Sequence, residues 1–218
     1  MTVDFYYLPP SPPCRAVMML AKAVGVHLNL KTVDLLKGEH MTPEFAKMNP
    51  QHVIPTIDDN GFVLWESRPI MGYLVSKYAK NDALYPKDPK KKGIVDQKLF
   101  FDNGTLYERI MRCYGPILRG KSKEIQKADL EALENAFETL DTFLQDSRFA
   151  AGPDMTIADF SLVASVSTAE GFGFDVGRYE YVNTWYNLCK RAMQKFGYEE
   201  VNVAGGKILG DVFRANLE

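Results

Sequence analysis

Thr56-Ile57-Asp58-Asp59-Asn60-Gly61-Phe62-Val63-Leu64-Trp65 consists of two short runs, rich in branched and aromatic residues, joined by Asn-Gly. Such residues fit a pleated, half-buried surface. Asn60-Gly61 suits a type I′ turn, because both central residues of that turn need positive φ. The stretch predicts an antiparallel hairpin. Downstream, Glu66–Tyr78 reads as a helix with Ile70, Leu74 and Tyr78 spaced by four. Upstream, Val3–Leu8 is a short aromatic strand that stops at Pro9-Pro10. Pro13–Val24 carries a helical stripe of Val17, Leu20, Ala21 and Val24, closed by Gly25. Leu28–Leu35 reads as a second strand with Leu28, Leu30 and Val33 as its apolar members, and Thr42-Pro43-Glu44 places a cap and then a proline at the start of a short helix.

The resulting order, βαβα followed by ββα, is the thioredoxin-like arrangement. Between Lys80 and Lys92 the composition turns to Asn, Asp, Pro and a run of lysines, which reads as an exposed linker. Beyond about residue 88 the chain looks helical. Leu130, Leu133, Phe137, Leu140 and Leu144 form one stripe, and Trp185, Leu188, Cys189, Ala192 and Phe196 another. Thr156 and Asp159 have capping-box spacing, with Met155 and Phe160 placed as a hydrophobic staple. The expected fold is an α/β thioredoxin-like N-terminal domain over residues 1–80, a linker over 81–90, and an all-α C-terminal domain over 91–218.

Composition narrows the function. The 218 residues carry 26 basic and 28 acidic side chains, a net charge of −2 that argues against a nucleic-acid partner. No apolar run approaches the roughly 18 residues of a membrane span, and the N-terminus lacks the basic flank and apolar stretch of a secretory signal. Three widely spaced cysteines, Cys14, Cys113 and Cys189, build neither a disulfide framework nor a zinc site. With only His27, His40 and His52, and no His-x-x-x-His pair, a metal site is not expected. The expectation is a reduced, cytoplasmic protein.

Three segments carry candidate chemistry. Ser11-Pro12-Pro13-Cys14-Arg15 lies between the first strand and first helix, where backbone N–H groups favour an anion. Ser11 stands where a dithiol motif would have its first cysteine, so no internal dithiol couple forms there. Its hydroxyl is either a helix cap or a donor to a thiolate brought by a substrate. In Asn49-Pro50-Gln51-His52-Val53-Ile54-Pro55-Thr56, Pro55 directly precedes a strand; a cis bond there would expose the Ile54 backbone to a ligand, and a trans bond would be a plain strand start. Glu66-Ser67-Arg68 opens a helix and offers free N–H groups, or is simply a charged cap.

As an ordered set, Ser11, Gly38-Glu39-His40, Asn49–Thr56 and Trp65-Glu66-Ser67-Arg68 resemble the glutathione site of cytosolic glutathione transferases, above all the insect delta class, with epsilon near. The resemblance continues through Leu84-Tyr85-Pro86, Phe101–Tyr107 and Thr156–Asp159, and so spans nearly the whole chain. It implies a homodimeric glutathione transferase that conjugates reduced glutathione, as co-substrate and with no other cofactor, to hydrophobic electrophiles in detoxification. By the same resemblance Ser11 would stabilise the thiolate, His40 and His52 would address the glycyl carboxylate, and the backbone of Val53, Ile54 and cis-Pro55 would present an edge to the cysteinyl unit. Glu66 would take the γ-glutamyl ammonium, Ser67 and Arg68 its carboxylate, and Asp102 would lie near the neighbouring subunit's glutathione site. Tyr107, Ile110, Met111 and Tyr114, at i, i+3, i+4 and i+7, share one helix face that is either ordinary core or the wall of an electrophile pocket facing Pro10 and Pro13.

Two departures from the family pattern stand out. The first loop, Pro9-Pro10-Ser11-Pro12-Pro13, is stiffer than is usual in the delta class. Gly115 and Ile110 replace aromatic residues, which is expected to enlarge or reshape the electrophile pocket. Two other functions remain open from sequence: a non-catalytic carrier of glutathione and hydrophobic ligands, and a thiol transferase using Cys14.

Overall fold

The computed structural model describes residues 2–217; Met1 and Glu218, the outer ends of the two expected domains, lie outside them. Strand β1 (Thr2–Tyr7), helix α1 (Pro12–Val24), strand β2 (His27–Thr32) and helix α2 (Pro43–Met48) are followed by the hairpin β3 (Thr56–Asp59) and β4 (Phe62–Trp65) and by helix α3 (Ser67–Tyr78). The sheet order is β2-β1-β3-β4. β2 runs parallel to β1, and β3 and β4 complete the sheet antiparallel. At the hairpin tip Asn60 and Gly61 have φ of 55° and 90°, as the type I′ turn requires. Val3, Phe5 and Tyr7 alternate into the core beneath α1 and α3.

Register decides where the strand ends go. Tyr6 pairs with Thr56, Thr56 pairs with Trp65, and Tyr7 pairs with Thr32. The segments that follow β1, β2 and β4, and the one that precedes β3, therefore all emerge at the same end of the sheet. One strand expectation needs correction. β2 stops at Thr32 rather than Leu35, and Leu30 is 46% exposed. β2 is an edge strand, so its hydrophobic alternation does not translate into burial.

The second half is helical: α4 (Pro89–Phe101), a π-helical turn (Asp102–Leu106), α5 (Tyr107–Leu118), α6 (Lys127–Leu144), α7 (Ile157–Gly171), α8 (Glu180–Met193), a second π-helical turn (Tyr198–Val203) and α9 (Ala204–Leu217). The expected stripe on α6 is buried from Leu133 to Leu144, with Leu130 half-buried. Lys90, Lys91 and Lys92 belong to α4 and not to a linker. Asp88 caps that helix by accepting the Lys91 N–H at 2.9 Å, and Pro89 takes the first helical position.

α7 is buried on nearly every side and runs through the centre of the helical half. Its start is tied by Asp159, which accepts the N–H groups of Thr156 and Ala150 and the Trp185 indole Nε1–H, each at 2.8 Å.

In the sheet, Asp59 is buried and accepts from Tyr73 at 2.6 Å, Lys77 at 2.7 Å and Tyr78 at 2.5 Å, all on α3. Burial would raise its carboxyl pKa, but these hydrogen bonds and one from Asn60 outweigh it and hold the group below the usual carboxylate range. A folded-state value below the unfolded one gives stability that is present above pH 4 or so and lost as pH falls through the folded value. Asp59→Asn is expected to lower unfolding stability at pH 7 by about 1–3 kcal/mol. It should also flatten the acid side of the stability curve, as read by urea denaturation between pH 2 and pH 7; unchanged curves would rule the cluster out as a stabilising device.

Candidate active site

Ser11 leaves β1 through the Pro9-Pro10 corner and stands at the N-cap of α1 with φ −64° and ψ 119°. Its N–H donates to the Leu8 carbonyl at 3.0 Å and its carbonyl accepts from Arg15 N–H at 3.0 Å. The hydroxyl makes no capping hydrogen bond to the helix, so the plain cap reading does not describe it. Pro12 and Pro13 occupy the next two positions and have no N–H to offer. The helix start, expected to favour an anion through several backbone donors, is reduced to the Cys14 N–H.

α3 opens differently. Ser67, Arg68 and Pro69 are its first three residues, and its first helical bond runs from Ile70 N–H to the Glu66 carbonyl at 3.0 Å. The N–H groups of Ser67 and Arg68 are left for a ligand, with no acidic side chain in the first turn. Glu66 is exposed and sits at φ 70°, a conformation L-residues rarely adopt outside over-determined sites.

The segment between α2 and β3 is organised by Asn49, a residue to which sequence reasoning assigned no role. Asn49 is fully buried. Its Nδ2 donates to the Val53 carbonyl and to Thr56 Oγ1, both at 2.9 Å, and its Oδ1 accepts the Gln51 N–H at 2.9 Å. The Ile54–Pro55 peptide is cis. Ile54 lies just outside the β1–β3 ladder, with Val53 37% exposed beside it. His52, at φ 57°, places Nδ1 2.8 Å from the His40 carbonyl. A carbonyl only accepts, so Nδ1 carries the proton and Nε2 is left for a ligand. His40 Nδ1 is itself buried with no partner among the described residues.

Ser11, the 49–55 segment, Glu66-Ser67-Arg68 and the loop bearing His40 are thus brought to one end of the sheet by strand register. The helical half adds Tyr107, whose ring lies under the Arg68 guanidinium at 5.7 Å. Burial pushes the Tyr107 hydroxyl pKa up to about 12. The four residues of the expected pocket face separate. Tyr107 and Met111 are half-buried, Ile110 is wholly buried, and Tyr114 packs on Phe172 and Phe213 at ring-centroid distances of 5.2 and 5.6 Å. Pro10 and Pro13 are both half-buried beside Ser11.

Two further expectations meet different surroundings. Asp102 is fully buried and engaged within its own chain: it accepts from Arg68 Nη2 and Ser161 Oγ at 2.5 Å and from Ser165 Oγ at 2.6 Å. All three donors belong to its own chain, two of them on α7 and one on α3. The space beside Gly115 is already filled. A Cβ there would lie 2.8 Å from Arg119 Nη2, so the guanidinium of Arg119 stands against this face of α5.

Arg15, which closes the Ser11–Arg15 segment, is 0% exposed. Its Nη1 donates to the Asn202 carbonyl at 2.8 Å and to Asn202 Oδ1 at 2.9 Å, and its Nη2 donates to Thr168 Oγ1.

Among the described residues no cluster of His, Cys, Asp and Glu has metal-binding proximity, and no helix is long and apolar enough to cross a membrane.

Residues 1–76 match the family described as the glutathione S-transferase N-terminal domain. The whole chain is 46% identical, over 220 residues and the full length of both proteins, to glutathione S-transferase D7 of Anopheles gambiae. A delta-class glutathione transferase structure from Nilaparvata lugens superposes with a TM-score of 0.94 at 50% identity, covering 98% of this chain and 99% of that one. The Bombyx mori glutathione transferase BmGSTD1 gives 0.94 at 46%, over 97% and 98% of the two chains. An epsilon-class enzyme from the housefly Musca domestica gives 0.92 at 35%, over 98% of each. With near-half identity to delta-class proteins along its entire length, and a lower figure for the epsilon enzyme, the chain belongs to the glutathione S-transferase family and groups with its insect delta class.

Proposed function

We propose that this transferase conjugates reduced glutathione to hydrophobic electrophiles, with Ser11 holding the thiolate. The observation that carries the reading is the convergence of polar groups at one end of the sheet: the Ser11 hydroxyl, which caps no helix N–H, and the Ser67 and Arg68 N–H groups, beside the Ile54 edge at cis-Pro55 and the ligand-free His52 Nε2. A zwitterionic tripeptide needs that mixture. Ser67 and Arg68 take the γ-glutamyl carboxylate and the exposed Glu66 its ammonium. Val53 and Ile54 pair with the cysteinyl backbone as an added strand. His40 and His52 address the glycyl carboxylate.

Lowering a thiol pKa from about 8.5 to about 7 asks for roughly 2 kcal/mol of differential stabilisation. One hydrogen bond to an ionised group, about 1.5–3 kcal/mol, is enough. The thiol proton leaves to solvent, and the sulfur then forms a bond to the electrophilic carbon as the leaving group departs with its electron pair. Holding both reactants makes the step effectively unimolecular. In this reading residues 1–80 bind glutathione, 81–90 connect, and 91–218 supply the apolar wall. Tyr107 and Met111 face the electrophile opposite Pro10 and Pro13, with Ile110 and Tyr114 supporting them from behind.

Ser11→Ala is expected to slow conjugation of a chloronitrobenzene acceptor about 10- to 100-fold near pH 6.5, the equivalent of one lost charged hydrogen bond. Glutathione binding should persist. Unchanged turnover would remove Ser11 from its role, and wild-type binding without turnover would mark the chain as a carrier instead.

Nothing favours Cys14 as a nucleophile. It is fully buried, and burial pushes its thiol up to about 11 despite opposing hydrogen bonds from Ser11 and the Leu8 backbone. A thiol reagent at pH 7 is expected to label Cys14 only as fast as the protein unfolds; rapid labelling blocked by glutathione would restore the thiol-transferase reading. All three cysteines are buried and free, which fits a reducing compartment, the cytoplasm.

A homodimer belongs to the same proposal. A groove of about 630 Å³ between α3 and α4 is lined by Arg68, Gly72, Tyr73, Leu99 and Phe100, and Phe100 is 77% exposed. A second copy covering this face would bury an aromatic ring otherwise left in water. Sedimentation should return twice the 24.6 kDa chain mass, falling to one chain in Phe100→Asp. A monomeric wild type would refute the dimer.

A further inference from the structure

We infer that Arg15 supplies, through space, the positive field that keeps the substrate sulfur ionised at Ser11, in place of the helix donors that Pro12 and Pro13 remove. The inference rests on the function proposed above and adds a residue that touches no substrate.

Three observations support it. First, α1 begins with two residues lacking N–H, so an anion at Ser11 finds one backbone donor where most helices offer three. Second, the guanidinium one turn further along α1 is completely buried, and every group it donates to is neutral: Asn202 through its carbonyl and Oδ1, Thr168 Oγ1, and, at 3.4 and 3.5 Å, Ser167 Oγ and the Ala164 carbonyl. Its Nε has no partner among the described residues. A buried cation is usually paired with a carboxylate; this one keeps its field. Third, the titratable groups around it carry no cancelling charge at neutral pH.

On α1 itself the neighbour is Cys14, a thiol pushed up to about 11. From α5 comes Tyr107, pushed up to about 12. From α8 and the second π-helical turn come Tyr186 and Tyr198, both raised chiefly by burial. Glu170 of α7 is engaged by Tyr186 at 2.8 Å and Lys190 at 3.5 Å, and on the Tyr107 side Arg68 and Asp102 neutralise each other. Burial also lowers the Arg15 guanidinium to about 10, the response of a cation without a counter-ion, yet leaves it charged at working pH.

The fit around the Arg15 stem is close. A Cβ on Gly205 would lie 2.5 Å from the Pro9 carbonyl oxygen and 2.7 Å from Arg15 Cδ, so only glycine lets α9 close over the arginine and the Ser11 loop together.

The test neutralises Arg15 without removing it. Asn202→Asp is isosteric and keeps the acceptor 2.9 Å from Nη1, but sets a carboxylate on the guanidinium. Conjugation rate against pH, and the ultraviolet absorbance of the bound thiolate, should both shift upward by about one pH unit. The rate below pH 7 should fall about 10-fold while the melting temperature holds or rises. Asn202→Ser, which loses a contact but adds no charge, should leave the pH profile in place; a merely structural role would move both variants alike. If Asn202→Asp does not fold, Thr168→Asp delivers the same charge from α7. A wild type with a depressed thiol pKa and a folded charge variant with an unmoved profile would overturn this inference alone. A wild type with no depressed pKa would overturn it together with the Ser11 reading.

Discussion

The two halves of this chain are held together by a buried arginine that has no carboxylate. Arg15 projects from α1 into α7 and the second π-helical turn, with Gly205 and Gly206 of α9 closing over its stem and head group. An ionised group removed from water is costly unless its donors are met, and here both terminal nitrogens are met by oxygens that the helical half alone provides. Position and charge are thereby linked. The same side chain that docks the helices fixes where the Ser11 loop sits, because Pro9 is trapped under the same glycine.

A second arginine repeats the device with a different sign balance. Arg68 of α3 reaches Asp102, which Ser161 and Ser165 of α7 also hold. In both cases the receiving residue, Asn202 or Asp102, comes from a π-helical turn. The extra residue in such a turn rotates one side chain inward that regular helical spacing would have turned elsewhere, and such turns recur at functional sites. Arg68 is neutralised and serves position; Arg15 is not and retains a field.

Local chemistry was readable without the structure wherever a residue's neighbours lie within a few positions. Asn60-Gly61 specified the hairpin, Thr42 and Pro43 started α2, Asp159 closed back on Thr156, and the four-residue spacing of Ile70 and Leu74 found the buried face of α3. The site segments were legible for the same reason: each is a short run at a strand end, and strand order carries them to one place. Edge effects were not legible. Leu30 has the pattern of a core residue but lies on a strand with no outer neighbour, and Lys90–Lys92 looked like a linker although Asp88-Pro89 had already begun a helix.

The sequence by itself determined the order of elements in the sheet half, the caps at Thr42 and Thr156, and which polar residues stand at the strand ends. Only the tertiary structure decided what each long side chain does. Arg15 meets Asn202 across 187 positions and Asp102 meets Arg68 across 34, and the room beside Gly115 is taken by Arg119. Periodicity reports which face of an element is apolar, because that depends on neighbours three or four residues away. Whether a buried charge is paired, and whether a gap is empty, depends on elements that meet only when the chain closes on itself.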